Sequence, residues 1–199
     1  NNISVTDNKV NVNYNNVSGD YDTIYAVTFK NANDAVIADN EINANGHTYI
    51  YGLQISGENF DVANNNITAV TDNYYACGID IEGPASGVIE NNNISAEGVE
   101  LSYPIYSGMN YKDVYALYTN NKLSGEAYLV IGISSGDKES TILGNTIDAK
   151  GNYTMGIASK ASKITAMNNI INDNAYNVGN LNIWETFGDH TAGIYIAGG

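Results

Sequence analysis

Seven nine-residue stretches of this chain close on Asn, one free position, and then Ile, Val or Leu, and the Asn is never replaced. The copies end at Asn8-Lys9-Val10, Asn40-Glu41-Ile42, Asn65-Asn66-Ile67, Asn92-Asn93-Ile94, Asn121-Lys122-Leu123, Asn145-Thr146-Ile147 and Asn168-Asn169-Ile170. Their closing residues lie 32, 25, 27, 29, 24 and 23 positions apart. An uneven period in the twenties is the length of one solenoid coil, so the repeat constrains the fold before local propensity does. With one Asn per coil at the same turn, Asn8, Asn40, Asn65, Asn92, Asn121, Asn145 and Asn168 are expected to stack as a ladder of amides shielded from solvent.

A second phrase precedes each closing residue: Gly52-Leu53-Gln54-Ile55-Ser56-Gly57, Gly78-Ile79-Asp80-Ile81-Glu82-Gly83, and relatives at Gly132, Gly156 and Gly193. Alternating branched apolar and polar residues, closed by Gly, describe a short strand with one buried face. Each coil then reads as a Gly-Ile strand, a second strand such as Val88-Ile89-Glu90, an Asn turn, and a third strand such as Ile94-Ser95-Ala96. No segment sustains helical spacing over three turns, and a sandwich of antiparallel hairpins would not repeat one phrase per coil. The sequence therefore predicts an all-β fold, a parallel β-helix of about seven to eight coils, with residues 1–199 as one domain. Right-handed winding is expected, since parallel crossovers are overwhelmingly right-handed.

Composition narrows the partners. The chain has 199 residues, 22 acidic side chains against 8 basic ones, and a net charge of -14. All the basic residues are lysines. Such a surface repels phosphate backbones and anionic membranes, so neither nucleic acid nor membrane is an expected partner. Absence of Arg removes the side chain best suited to clamping carboxylates or phosphates. Cys77 is the only cysteine and reads as a small buried hydrophobe. No apolar run approaches the length of a membrane span.

The Asn-Asn-x-Ile turns, Gly-Ile-x-Ile strands, Tyr-rich and Arg-free polar style and acidic balance resemble the parallel β-helix repeats of archaeal adhesin-like surface proteins, those of methanogens above all. The resemblance spans nearly the whole chain. It implies an extracellular, cell-surface location and a structural or adhesive role with no cofactor, and it carries over no catalytic residue. The same repeat type occurs in carbohydrate-active enzymes and in periplasmic proteins that assist copper-enzyme maturation.

Several residues have side chains suited to chemistry. Asp80 and Glu82 flank Ile81, so both are expected to point away from the core, about 7 Å apart, on a solvated strand face. Neighbouring coils offer Gln54 and Ser56, or Tyr106 and Gly108, with no reinforcing acid. His47 and His190 fall between repeat phrases without the partners a metal site needs, and no calcium loop motif appears. Neither catalytic nor metal residues are therefore assigned. Tyr25, Tyr51, Tyr75, Tyr103, Tyr128 and Tyr153 precede the Gly-Ile phrases and should form an aromatic stripe, as a stacking ladder or as a glycan-holding face. Sequons mark Asn2, Asn16, Asn66, Asn93 and Asn152 as candidate glycosylation sites.

The spacing from a closing residue to the next strand phrase stretches to 17 after Val10 and 24 after Ile170. The second insertion carries Tyr176, Trp184, Phe187 and His190, a candidate recognition loop for a glycan or a partner cell surface. Tail and head of the chain together spell one coil, which suggests axial continuation as tandem repeats of a longer protein or as an end-to-end filament. The sequence thus favours a non-catalytic surface module over its alternative, a polysaccharide-active lyase, hydrolase or epimerase.

Overall fold

The computed structural model describes residues 2–14, 22–108, 113–176 and 192–197. Within them there is no helix, and every strand pairing is parallel. The chain winds as a β-solenoid of about six turns. The sequence reading expected seven to eight. Seven ladder positions bound only six complete intervals, which accounts for the difference.

Three parallel sheets make up the wall. The first contains Thr23–Phe29, Leu101–Ser107 and Ala192–Ile196, together with one half of each long strand Tyr49–Ala63, Tyr75–Glu90, Lys122–Ser135 and Thr146–Ser159. The second includes Ile3–Thr6, Ala35–Ala38, Val114–Thr119, Glu139–Leu143 and Lys163–Met167. The third includes Lys9–Asn13, Glu41–Gly46, Asn66–Thr71, Asn93–Glu97 and Ile170–Ala175. Long strands run through a corner from one sheet to the next because those corners need no tight turn.

Like stacks on like along the axis. Leu53, Ile79, Ile105, Ile133 and Ile157 form one fully buried row, and Ile42, Ile67, Ile94, Leu123 and Ile147 another. Each such side chain contributes about 1.5–3 kcal/mol on burial, so the rows hold the coils together. A small-residue row, Ala44, Ala69, Ala96, Gly125 and Ala149, ends at Asp173, whose carboxyl burial pushes up to about 6.

Turns between the second and third sheets share one device. The residue before each ladder Asn sits in the left-handed region: Asp7, Asp39, Asn64, Asn91, Asn120, Gly144 and Asn168, with φ between 54° and 64°. Asn, Asp and Gly tolerate that conformation best. The next residue turns its amide inward along the stack. Asn40 Nδ2 donates to Asn65 Oδ1 at 2.9 Å, Asn65 to Asn92 at 3.0 Å, Asn92 to Asn121 at 3.0 Å and Asn121 to Asn145 at 3.0 Å. Asn40, Asn65, Asn92, Asn121 and Asn145 are buried, while Asn8 at the first turn is exposed.

The seventh rung is Asn169, not Asn168: Asn145 N and Nδ2 donate to Asn169 Oδ1 at 2.9 and 3.0 Å. Asn168 is the exposed left-handed residue before it, and the closing apolar residue is Ile171, which pairs with Ile147. Glycine separates the two roles. Asn168→Gly is expected to change stability by no more than about 0.5 kcal/mol, because Gly adopts positive φ freely. Asn169→Gly should cost about 1–2 kcal/mol by stranding the Asn145 amide. Urea unfolding of the two variants checks this, and the reverse ranking would restore Asn168 to the ladder.

Candidate functional site

On the outward side of the first sheet the tyrosines form a second layer. Tyr25 and Tyr51 stack with ring centroids 4.6 Å apart and planes 23° apart. The chain of rings continues from Tyr51 to Tyr75 at 5.2 Å and from Tyr75 to Tyr103 at 5.4 Å, and Tyr128 meets Tyr153 edge-on at 5.5 Å. They do not share one row. Tyr25, Tyr51 and Tyr103 align with Cys77, whereas Tyr75 aligns with Tyr49 and Leu101. Tyr75, Tyr103 and Tyr153 are buried, and Tyr25 is the exposed end of the stack. Tyr25 offers the most open ring of the set, and Tyr51 and Tyr128 are half-buried.

Beneath this layer lies a carboxylate pair. Thr28, Gln54, Asp80 and Tyr106 occupy one outward row. Gln54 Nε2 donates to Asp80 Oδ2 at 3.2 Å and to Glu82 Oε1 at 3.0 Å, so one amide tethers both acids. Asp80 is only 7% exposed, which corrects the expectation of a solvated face. A side chain that points away from the core does not face water here, because tyrosine rings cover the outside of this sheet. Burial pushes the Asp80 carboxyl up to about 6; Gln54 and Lys30 pull it down, and Glu82 adds to the rise. Burial, then Asp80, raises the Tyr25 phenol as well. Gln54 Oε1 is buried without a partner. The arrangement can hold and release a proton near neutral pH beside a second carboxylate.

A second buried acid, absent from the sequence reading, lies inside the coil. Asp137 is 1% exposed and accepts bonds from Ser107 Oγ, Tyr118 OH at 2.9 Å and Ser140 Oγ at 2.9 Å. Burial raises its carboxyl, against the lowering effect of those hydroxyls. The inward row that reads Ile55 and Ile81 lower in the stack becomes Ser107, Ser135 and Ser159 here, which makes room for the carboxylate. With its oxygens occupied by protein hydroxyls, this group is a structural crosslink.

The remaining candidates scatter. Cys77 is fully buried, and burial raises its thiol well above the usual range. His47 Nδ1 lies 2.6 Å from Asp72 Oδ1 of the next coil. Among the described residues no three His, Cys, Asp or Glu side chains gather as metal ligands. Asn2, Asn66 and Asn93 are exposed and Asn152 is half-buried. Asn93 Nδ2 donates to Asn66 Oδ1 at 2.8 Å, so a glycan on either would crowd the other, one strand spacing away. Tyr176 is 60% exposed. Asn16, Trp184, Phe187 and His190 lie outside the described residues. Compared with protein-family models, curated proteins and solved structures, the chain matches none.

Proposed function

We propose that this chain is a structural and adhesive module of an extracellular cell surface, a rigid spacer that carries binding faces and no catalytic centre. The observation behind this reading is the continuous amide ladder from Asn8 to Asn169, which ties the turns into one stiff rod. Right-handed winding and an archaeal surface origin belong to the same reading. Strands of the first and last described turns pair on one side only, and those edges suit an axial neighbour, either further coils of a longer chain or a second copy. Among the described residues no helix is long and apolar enough to cross a membrane.

One observation favours the enzymatic alternative: Asp80 and Glu82 share Gln54, and burial raises Asp80. Beads coated with the full chain, offered polysaccharide or cell-envelope surfaces, decide between the readings. Attachment is expected without reducing ends or unsaturated products. Product formation that disappears in Asp80→Asn, with circular dichroism unchanged, would make the protein an enzyme. The same variant has a second readout. A folded-state carboxyl at about 6, against 3.8 when free, binds an extra proton between those values. That contribution favours the fold at low pH and is lost as pH rises through about 6. Asp80→Asn should therefore be at least as stable as wild type at pH 7.5, with its advantage shrinking toward pH 4.

A further inference from the structure

The outward face of the third sheet holds a groove of about 310 Å³ that is separate from the tyrosine face. Two outward rows shape it. Ser95, Ser124 and Asp148 stand in one, and Glu97, Glu126 and Lys150 in the other, stepped by one coil each. Short serine side chains make the floor, and the longer side chains of the second row make a wall. The step between rungs is about 4.8 Å.

The polar atoms here are only partly used. Lys150 Nζ is held by Glu126 Oε1 at 2.7 Å, and Asp148 Oδ1 accepts from Asn172 Nδ2 at 2.5 Å. The side chains of Ser95, Ser124 and Glu97 make no hydrogen bond with any described residue. Just beyond the groove, two residues after its lining Asn174, Tyr176 is 60% exposed and its backbone N donates to Gly151 O at 2.8 Å. A concave row of unfilled hydroxyl and carboxylate positions beside an open aromatic ring suits a polyol with an apolar face. Such a ligand accepts and donates hydrogen bonds along the floor while its C–H face lies on the ring.

Charge selects within that class. Three carboxylates face one ammonium in a chain of net charge -14, so uronic acids and sulfated sugars are repelled. The Lys150 ammonium, fixed in the wall, opposes a metal cation. We infer that this groove binds an uncharged hexose unit of a polysaccharide, with Ser95, Ser124 and Glu97 contacting its hydroxyls and Tyr176 its ring face. The inference gives the adhesive reading a ligand and rests on it for biological meaning.

Amide NMR of the full chain, titrated with neutral trisaccharides of glucose, mannose and N-acetylglucosamine, tests the groove directly. At least one is expected to shift the Ser95, Ser124 and Asn174 amides with millimolar affinity. Ser124→Arg, which fills the floor, should weaken binding by at least about tenfold, and Glu97→Gln by a few-fold with the fold untouched. No shift at these amides, shifts centred on Tyr25 and Asp80, equal binding of trigalacturonate, or the same shifts with calcium alone would each overturn the inference. Bead attachment separates the two readings. Attachment by wild type and Ser124→Arg alike, with no saccharide bound in the wild-type groove, removes the groove and leaves the adhesive role. Saccharide bound in the groove without attachment leaves the groove and removes that role.

Discussion

Replacing Asn92 with alanine is expected to destabilise the fold by about 2–5 kcal/mol. Asn92 is 1% exposed. Its Oδ1 accepts from Asn65 N at 2.8 Å and Asn65 Nδ2 at 3.0 Å, and its Nδ2 donates to Val62 O at 2.8 Å and Asn121 Oδ1 at 3.0 Å. Some of these groups have a second partner. Asn65 Nδ2 keeps Ile37 O and Ala63 O, and Asn121 Oδ1 keeps the Asn92 backbone N. Asn65 N does not, and a buried group left unpaired costs about 1–3 kcal/mol, in addition to the three other bonds lost. At about 2–4 °C per kcal/mol for a chain of this size, the melting temperature should fall by about 10 °C. A solenoid is held by neighbour-to-neighbour contacts, so the defect should also split unfolding into two steps at the middle of the stack. Thermal and urea denaturation, with hydrogen exchange at the Asn65 amide, read both effects. A loss below about 1 kcal/mol with a single transition would show that apolar rows alone hold the turns together.

The sequence discloses the solenoid because coil stacking forces each turn to solve the same problem at one position. A buried amide that must bond to its copy one coil away tolerates no substitute, so Asn40, Asn65, Asn92, Asn121 and Asn145 stand out without an alignment. Where two adjacent residues are both Asn, identity cannot tell the left-handed residue from the rung, so Asn168 stands in the repeat position while Asn169 holds the rung. The candidate site was hidden for a different reason. Alternation separates the two faces of a strand but does not say what lies against the outer one. Asp80 was therefore assigned to water when Tyr51, Tyr75 and Tyr103 form a second layer. Asp137 escaped because its hydroxyl cage draws on Ser107, Tyr118 and Ser140, whose convergence depends on register.

Gly78→Ala is expected to be at least as damaging, and it explains why the strand phrase opens with Gly. A Cβ at Gly78 would lie 2.2 Å from Ile94 Cγ2 and 2.5 Å from Pro104 O. The isoleucine methyl belongs to a fully packed row, and the carbonyl to the backbone of the next coil, so neither moves without shifting a strand. Gly52, Gly132 and Gly156 meet the same two obstacles, an Ile methyl at 2.3–2.5 Å and the carbonyl of the next Gly at 2.6–2.7 Å. The requirement is therefore steric and local: at these four positions a Cβ would run into the neighbouring coil, although Ala26 and Pro104 hold the same row with side chains. Forcing an extra carbon into a close-packed core costs about 1–3 kcal/mol where neighbours can yield, and more where the obstacle is backbone. Gly193 supplies the control, since its Cβ would meet only Asp173 Oδ2 at 3.7 Å and Ile171 Cγ2 at 3.9 Å. In urea unfolding, Gly78→Ala should lose at least about 3 kcal/mol or fail to fold, while Gly193→Ala stays within about 0.5 kcal/mol of wild type. Equal tolerance at the two positions would mean that coil spacing relaxes easily, and would remove the steric account of the Gly-Ile phrase.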